Sequence, residues 1–138
     1  MNTANKSKIM IVEDDEIHMD LMKDILRPAG YVTVGTKFGK QAVRLARKHR
    51  PDLIIMDIKL GDISGLEVTR RLKQDDQLER IPVIVVTAFA MKGDKEMCFA
   101  AGCNAYIAKP IQVSQFLYMV QRLLETYGAK NAKNDPDC

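Results

Sequence analysis

Short apolar runs alternate along this chain with longer segments whose apolar residues recur at helical spacing. The runs occupy residues 8–12, 32–36, 53–57, 83–87 and 105–108. Each is apolar almost without a break, which is typical of strands covered by other elements on both faces. Helices between successive strands imply crossover connections and a parallel sheet. The sequence therefore predicts an α/β fold with a doubly wound parallel sheet and helices on both of its faces.

The length and composition fit a single domain. The chain has 138 residues, of which 46% are hydrophobic and 28% charged, a balance that allows a packed core. We expect the domain to span residues 8–127, with its last helix ending near Tyr127. A short polar extension, residues 1–7, precedes it, and a polar tail, residues 128–138, follows it and is expected to fray.

The charge pattern and the cysteines exclude several classes of protein. The net charge is only +3, and the basic residues are scattered without interleaved aromatics, so we expect solvated helix faces rather than a nucleic-acid-binding stripe. Three cysteines without a metal-ligand spacing indicate free thiols in a reducing compartment. Neither a signal peptide nor a membrane-spanning apolar segment is recognisable. These features predict a cytoplasmic protein without a membrane partner.

Polar side chains that could bind a ligand or take part in a reaction lie where the predicted strands end. The first strand runs into Glu13 and Asp14, the third ends on Asp57, the fourth ends on Thr87, and the fifth runs into Lys109. In doubly wound sheets, ligands bind in the crevice at the carboxyl ends of the strands. We therefore expect these five side chains to converge on one site.

Physical chemistry restricts what such a cluster can do. Two carboxylates ~4 Å apart repel each other by roughly 4 kcal/mol at an effective dielectric near 20, so they need a cation or raised pKa values to coexist. Mg²⁺ suits the site, because it binds one or two carboxylates and keeps several waters. Asp57 could then act as a nucleophile towards phosphorus, with Mg²⁺, Lys109 and Thr87 neutralising the phosphoryl oxygens.

Two other interpretations share parts of this pattern. A phosphatase with an aspartate nucleophile usually needs a second acid two residues further on, where this chain has Lys59. A flavodoxin needs a first loop that cradles phosphate, which the acids at residues 13–15 would repel. Taken alone, each motif has an ordinary explanation; Asp15, for example, is expected to cap the first helix. The joint placement at four strand ends favours phosphoryl chemistry.

The pairs Glu13-Asp14, Thr87-Ala88 and Lys109-Pro110, together with Asp57, resemble the signature of receiver domains in two-component response regulators. The resemblance extends over residues 8–127. It implies a flavodoxin-like sheet of five strands in the order 2-1-3-4-5, a cis peptide bond before Pro110, and phosphoryl transfer from a sensor kinase histidine to Asp57. Residues 56–73 and 86–111 most resemble regulators of bacterial cell-cycle and cell-fate signalling.

The resemblance also implies a metal site. Asp14 and Asp57 would bind Mg²⁺ directly, Glu13 through water, and Lys59 through its backbone carbonyl, with Mn²⁺ as a possible substitute ion. The family often has proline where this chain has Gly61, so we expect a looser loop after the acceptor. Lys59 and Phe89 are expected to border the site and to influence the lifetime of the phosphoryl bond.

The remaining implied roles concern signalling. Thr87 and Lys109 would contact the phosphoryl group, and Tyr106 matches the aromatic residue that turns inward on activation. The implied partners are histidine kinases or phosphatases, phosphotransfer proteins and downstream signalling proteins. The helical phosphotransfer bundles of histidine kinases would dock near the first helix, where His18, Met19 and Met22 are candidate contacts and Met22 is alternatively a core residue. No enzymatic activity is implied beyond Mg²⁺-dependent self-phosphotransfer and slow self-dephosphorylation. A receiver-like docking module that is never phosphorylated is the alternative.

Overall fold

The computed structural model describes residues 7–88 and 92–133, with side chains up to residue 128. Strands and helices alternate through these residues as predicted. The strands are β1 Lys8–Val12, β2 Val32–Thr36, β3 Leu53–Met56, β4 Val83–Thr87 and β5 Ala105–Ala108. The helices are α1 Glu16–Leu26, α2 Ala42–His49, α3 Gly65–Lys73, α4 Asp94–Ala100 and α5 Val113–Lys133, with a short 3₁₀ turn, Gly39–Gln41, before α2.

All neighbouring strands pair in parallel, in the order β2-β1-β3-β4-β5. This confirms the fold class and the strand order that the resemblance implied. The central position of β1 and β3 places the segments that follow them side by side, because their register pairs Val12 with Met56. The acidic residues after both strands therefore leave the sheet at the same edge.

The core consists of two layers separated by the sheet. Successive strand residues point to opposite faces, so Ile9 and Ile11 pack with α1 and α5, whereas Met10 and Val12 pack with α2, α3 and α4. All four of these β1 side chains are fully buried. Burial on both faces explains why the central strands β1, β3 and β4 are almost entirely apolar, whereas the edge strand β2, with the sequence VTVGT, is partly exposed and less apolar.

Helix ends follow the local chemistry of the sequence. Asp15 caps α1 as expected, since its Oδ1 accepts from the backbone N–H groups of Ile17 at 2.9 Å and His18 at 3.1 Å. Helix α4 starts without a side-chain cap after Gly93 (φ +94°). It is followed by Gly102 (φ +108°), whose left-handed conformation ends the helix as predicted.

Three element boundaries differ from the sequence prediction. The last helix continues past Tyr127 to Lys133, because alanine and lysine favour helix and one glycine costs only about 1 kcal/mol. Six residues assigned to a polar tail are therefore helical. Strand β3 ends one residue earlier than predicted. The polar helical pattern in the sequence predicts a helix from about Lys92 to Ala101, whereas α4 begins two residues later, at Asp94. Residues 1–6, 89–91 and 134–138 lie outside the described residues, and so therefore do Phe89 and Cys138.

Within the described part of the chain, none of the helices combines the length and the apolar character that crossing a membrane requires.

Candidate functional site

The sheet itself positions the two deepest acids of the site. Glu13 follows β1, and its backbone N–H donates to the Thr36 carbonyl at 3.0 Å. Asp57 follows β3, and its backbone N–H donates to the Val12 carbonyl at 3.0 Å. Both residues thus continue the hydrogen-bond ladder of the sheet, and their side chains project into the crevice from a rigid backbone.

Three carboxylates meet in this crevice. Glu13, Asp14 and Asp57 each offer an oxygen, and these oxygens lie within 4.8 Å of one another. Asp14 is exposed, whereas Glu13 and Asp57 are only 1% and 7% exposed. Several negative oxygens in so small a volume, with one side open to water, fit a hard divalent cation such as Mg²⁺. The predicted carboxylate ligands are therefore brought together.

Glu13 shows the electrostatic cost of this arrangement. Burial, reinforced by the nearby Asp57 charge, raises the pKa of Glu13 from 4.5 to about 7, although hydrogen bonding to Lys109 opposes the rise. The side chain also accepts the Asp15 backbone N–H at 3.2 Å. A cation at the cluster would favour the ionised form of Glu13 and thereby relieve this cost.

Lys109 enters the same crevice from the end of β5. Its Nζ lies 2.9 Å from Glu13 Oε1, 3.5 Å from Asp57 Oδ2 and 3.0 Å from His18 Nδ1. The peptide bond to Pro110 is cis, as expected, and the Lys109 backbone N–H donates to the Thr87 carbonyl at 2.8 Å. The predicted convergence of Asp57 and Lys109 is thus present.

Thr87 and Tyr106 lie on the strands next to the acceptor. Thr87 is fully buried and ends β4, between β3 and β5 in the sheet. Tyr106 lies in β5 opposite Val85 of β4 and packs partly buried against the core layer of α2, α3 and α4. Burial raises the pKa of its hydroxyl. Thr87, which the resemblance assigns to phosphoryl contact, thus ends β4, and Tyr106, which the resemblance assigns to the switch, lies on β5.

The loop between β3 and α3 passes closely around the acceptor. Lys59 is exposed there. A Cβ added to Gly61 would meet Asp14 Oδ2 at 3.7 Å, an ordinary contact, so this position borders the acid cluster and has room for a side chain. A Cβ added to Gly65 would lie 1.9 Å from the Asp57 carbonyl oxygen. Only glycine therefore lets α3 begin so close to the acceptor.

The sequence analysis missed two features of the site. It did not single out Gly65, and it assigned His18 to partner contact, whereas the His18 ring reaches Lys109. The available signal was that His18 lies in the first turn of α1, next to the acidic segment. The prediction that Met19 contacts a partner is wrong, because Met19 is 7% exposed and faces the sheet. Met22, at 1% exposed, belongs to the core, as its alternative interpretation had it.

The comparison with known proteins identifies the family. A family model described as the response regulator receiver domain matches residues 9–121. The chain belongs to the response regulator receiver domain family. Receiver domains also supply its structural neighbours: the receiver domain of the sensor histidine kinase PA1611 from Pseudomonas aeruginosa PAO1, with magnesium in its active-site cleft, superimposes with a TM-score of 0.81 at 35% identity. The superposition covers 87% of this chain and 98% of that receiver domain.

Particular response regulators are more similar in sequence. The polar-differentiation response regulator DivK of Brucella anthropi is 55% identical over 116 residues, which cover 84% of this chain and 94% of that protein. DivK of Brucella ovis is 53% identical over the same length. A putative response regulator from Chloroflexus aurantiacus has a TM-score of 0.84 at 30% identity, over 87% of this chain and 98% of that one. The receiver domain described here is thus a response regulator of the DivK type.

Proposed function

We propose that Asp57 accepts a phosphoryl group from a histidine of a sensor kinase and that the phosphorylated domain signals by docking onto other proteins. The observation that supports this best is the meeting of an acid cluster and one lysine around Asp57, with Lys109 Nζ 3.5 Å from Asp57 Oδ2. A nucleophilic carboxylate between a cation site and a lysine is suited to phosphoryl transfer, in which catalysis depends mainly on positioning and charge neutralisation.

Several residues of the chain have separate roles in this reaction. An Asp57 oxygen forms the new bond to phosphorus while the bond to the histidine nitrogen breaks, and the departing imidazole keeps the electron pair. Lys109 donates to one phosphoryl oxygen and the Thr87 hydroxyl to another. Bound Mg²⁺, or Mn²⁺ in its place, supplies positive charge. The ion would be held by Asp14, Asp57, Glu13 through water, and the Lys59 carbonyl.

The signalling role follows from the relatives and the switch residues. Names of the similar proteins refer to polar differentiation, and we infer a role in cell-cycle or cell-fate control in the cytoplasm. The partners are histidine kinases or phosphatases, phosphotransfer proteins and downstream signalling proteins. The exposed α1 side chains Ile17 and Leu21, 77% and 43% accessible, are better candidates for kinase contact than the buried methionines. Self-phosphotransfer and slow self-dephosphorylation are its only chemical activities.

Incubation with Mg²⁺ and acetyl phosphate, followed by intact-mass measurement, tests the acceptor. We expect the protein to gain one phosphoryl group, and the gain to disappear in Asp57→Asn and after addition of EDTA. Asp24→Asn is the matched control, because Asp24 is an exposed carboxylate on α1. Unchanged mass in the wild type, or a persistent gain in Asp57→Asn, would favour a docking module that works without phosphorylation at this position.

A further inference from the structure

We propose that His18 is a positioning residue that holds Lys109 in the unphosphorylated protein and competes with the phosphoryl group for it. The proposal rests on the function proposed above and concerns the same site. It starts from the 3.0 Å distance between His18 Nδ1 and Lys109 Nζ, which joins the first turn of α1 to the end of β5.

The chemistry of the two groups fixes the direction of this hydrogen bond. A lysine ammonium has three N–H donors and no acceptor. With Lys109 as an ammonium, Nζ donates and His18 Nδ1 accepts, which corresponds to the Nε2–H tautomer of the ring. The Lys109 side chain is only 9% exposed, which leaves the ammonium little access to water.

Lys109 Nζ has two hydrogen-bond contacts and one longer ion pair. Glu13 Oε1 lies 2.9 Å from Nζ and His18 Nδ1 lies at 3.0 Å, whereas Asp57 Oδ2 lies at 3.5 Å as an ion pair. A phosphoryl group on Asp57 attracts the ammonium more strongly than the carboxylate alone, because it carries more negative charge. As Nζ moves towards the phosphoryl oxygens, one of its two hydrogen bonds lengthens and is lost.

Displacing His18 from Lys109 costs less free energy than displacing Glu13. Glu13 is 1% exposed and would leave a buried carboxylate without its lysine, which is costly. Asp57 carries the phosphoryl group itself. The imidazole of His18 is neutral, lies on a half-exposed part of α1 and can be hydrated after release. Phosphorylation therefore separates Lys109 from His18 and leaves its pairing with Glu13 intact.

Kinetics with acetyl phosphate and Mg²⁺ test the competition. The hydrogen bond between Lys109 and His18 stabilises the unphosphorylated protein, and hydration of the released groups recovers part of this stabilisation. We expect His18→Leu, which has no acceptor, to be phosphorylated about three to ten times faster than the wild type. His18→Asn places its Oδ1 where Nδ1 stood, so this variant should restore a rate close to that of the wild type.

Nitrogen NMR of the metal-free protein supplies a readout that does not depend on phosphorylation. The chain has two histidines, so His49 serves as an internal reference. We expect His18 to show the Nε2–H tautomer with a hydrogen-bonded Nδ1 at pH 8. Lys109→Met should shift the His18 Nδ1 resonance while leaving that of His49 unchanged.

The outcomes separate this inference from the proposed function. A wild-type protein that takes up no phosphoryl group contradicts the proposed function itself. With normal uptake in the wild type, the role of His18 is overturned by an unchanged or slower rate in His18→Leu. It is equally overturned if His18→Asn is as fast as His18→Leu, since ring packing rather than the acceptor would then matter, or if Lys109→Met leaves the His18 resonance in place.

Discussion

At the scale of single residues, the arrangement of the site lowers the stability of the folded protein. Glu13 is a carboxylate with 1% exposure beside a second, buried carboxylate, Asp57. Among the described residues, its hydrogen-bond donors are one lysine and one backbone N–H. The rise of the Glu13 pKa to about 7 means that folding favours the protonated form of this carboxyl group. Stability at neutral pH is thus lowered by a residue placed for metal binding and lysine positioning.

We expect the free energy of unfolding of the metal-free protein to fall as pH rises from 5 to 8. The pKa of Glu13 is about 7 when folded and 4.5 ordinarily, so the folded state holds the extra proton between these values. The stabilising contribution is complete below about pH 4.5 and lost as pH passes 7, at a cost of a few kcal/mol. Urea denaturation in EDTA at several pH values measures it.

Glu13→Gln keeps a hydrogen-bond acceptor for Lys109 but cannot ionise, and it should remove most of this slope. Glu16→Gln is the matched control, because Glu16 is exposed and its hydrogen bond with Lys37 lowers its pKa, away from the pH range tested. An equally steep slope in Glu13→Gln would assign the pH dependence to another group.

Gly65 is a second costly position of the site. In Gly65→Ala the new Cβ would stand 1.9 Å from the Asp57 carbonyl oxygen, a backbone atom that cannot move without breaking the sheet ladder. We expect a loss of at least about 2 kcal/mol in the free energy of unfolding by urea denaturation. Gly128→Ala in α5, where nothing lies within 4 Å of the added carbon, should instead stabilise by about 0.5–1 kcal/mol.

At the scale of elements, one lysine joins α3 to both β4 and β5. Lys73 Nζ donates to the carbonyls of Glu79 and Ile81 at 3.2 and 2.8 Å and to Asn104 Oδ1 at 3.0 Å. Asn104 Oδ1 also accepts the Val83 backbone N–H at 2.9 Å. Burial lowers the pKa of Lys73. Each of the three N–H groups of its ammonium has an acceptor. The connection before β5 is thus held by these hydrogen bonds in addition to the apolar packing of Ala101 and Cys103.

Lys73→Met keeps the length of the side chain but removes these three hydrogen bonds. We expect it to destabilise the protein by about 1–3 kcal/mol, because partly buried acceptors lose their donor. Arg70→Met on the same helix removes only an exposed pair with Glu67 and should change stability by less than about 0.5 kcal/mol. Urea denaturation of both variants compares them, and equal losses would contradict the role of Lys73.

The strands and helices, and their succession along the chain, could be predicted because most of the strands are buried on both faces and form apolar runs in the sequence. The order of the strands in the sheet was expected only from the family resemblance. The acids after β1 and β3 could be located from the sequence, since parallel strands end at one edge. The contact of His18 with Lys109 could not, because it joins residues 91 positions apart and depends on side-chain direction. The length of α5 was also unpredictable, since its last turns need no apolar face.

At the scale of the whole molecule, cation binding should be linked to folding. The acid cluster combines residues that follow β1 and β3, so it exists only when the sheet is formed. An ion that binds the folded state alone stabilises it by about 2.7 kcal/mol at a concentration one hundred times its dissociation constant. We expect millimolar Mg²⁺ to raise the melting temperature by several degrees.

The effect of Mg²⁺ on the melting temperature should be compared between the wild type and Asp14→Asn. Asp14 is the exposed carboxylate of the cluster, so its replacement should weaken the response to Mg²⁺ with little effect on the stability of the metal-free protein. Asp20→Asn, an exposed α1 carboxylate outside the cluster, should respond as the wild type does. No shift with Mg²⁺ in the wild-type melting curve would contradict the metal site.

The side-chain alternation along β1 and β3 makes residue spacing part of the chemistry. Glu13 and Asp57 directly follow the register partners Val12 and Met56, and a strand that gains or loses one residue reverses the face to which every later side chain points. Such an insertion would leave composition and charge almost unchanged but carry a carboxylate to the opposite layer. Variation in chain length can therefore accumulate in the loops far from this edge, whereas the two central strands must keep their residue count.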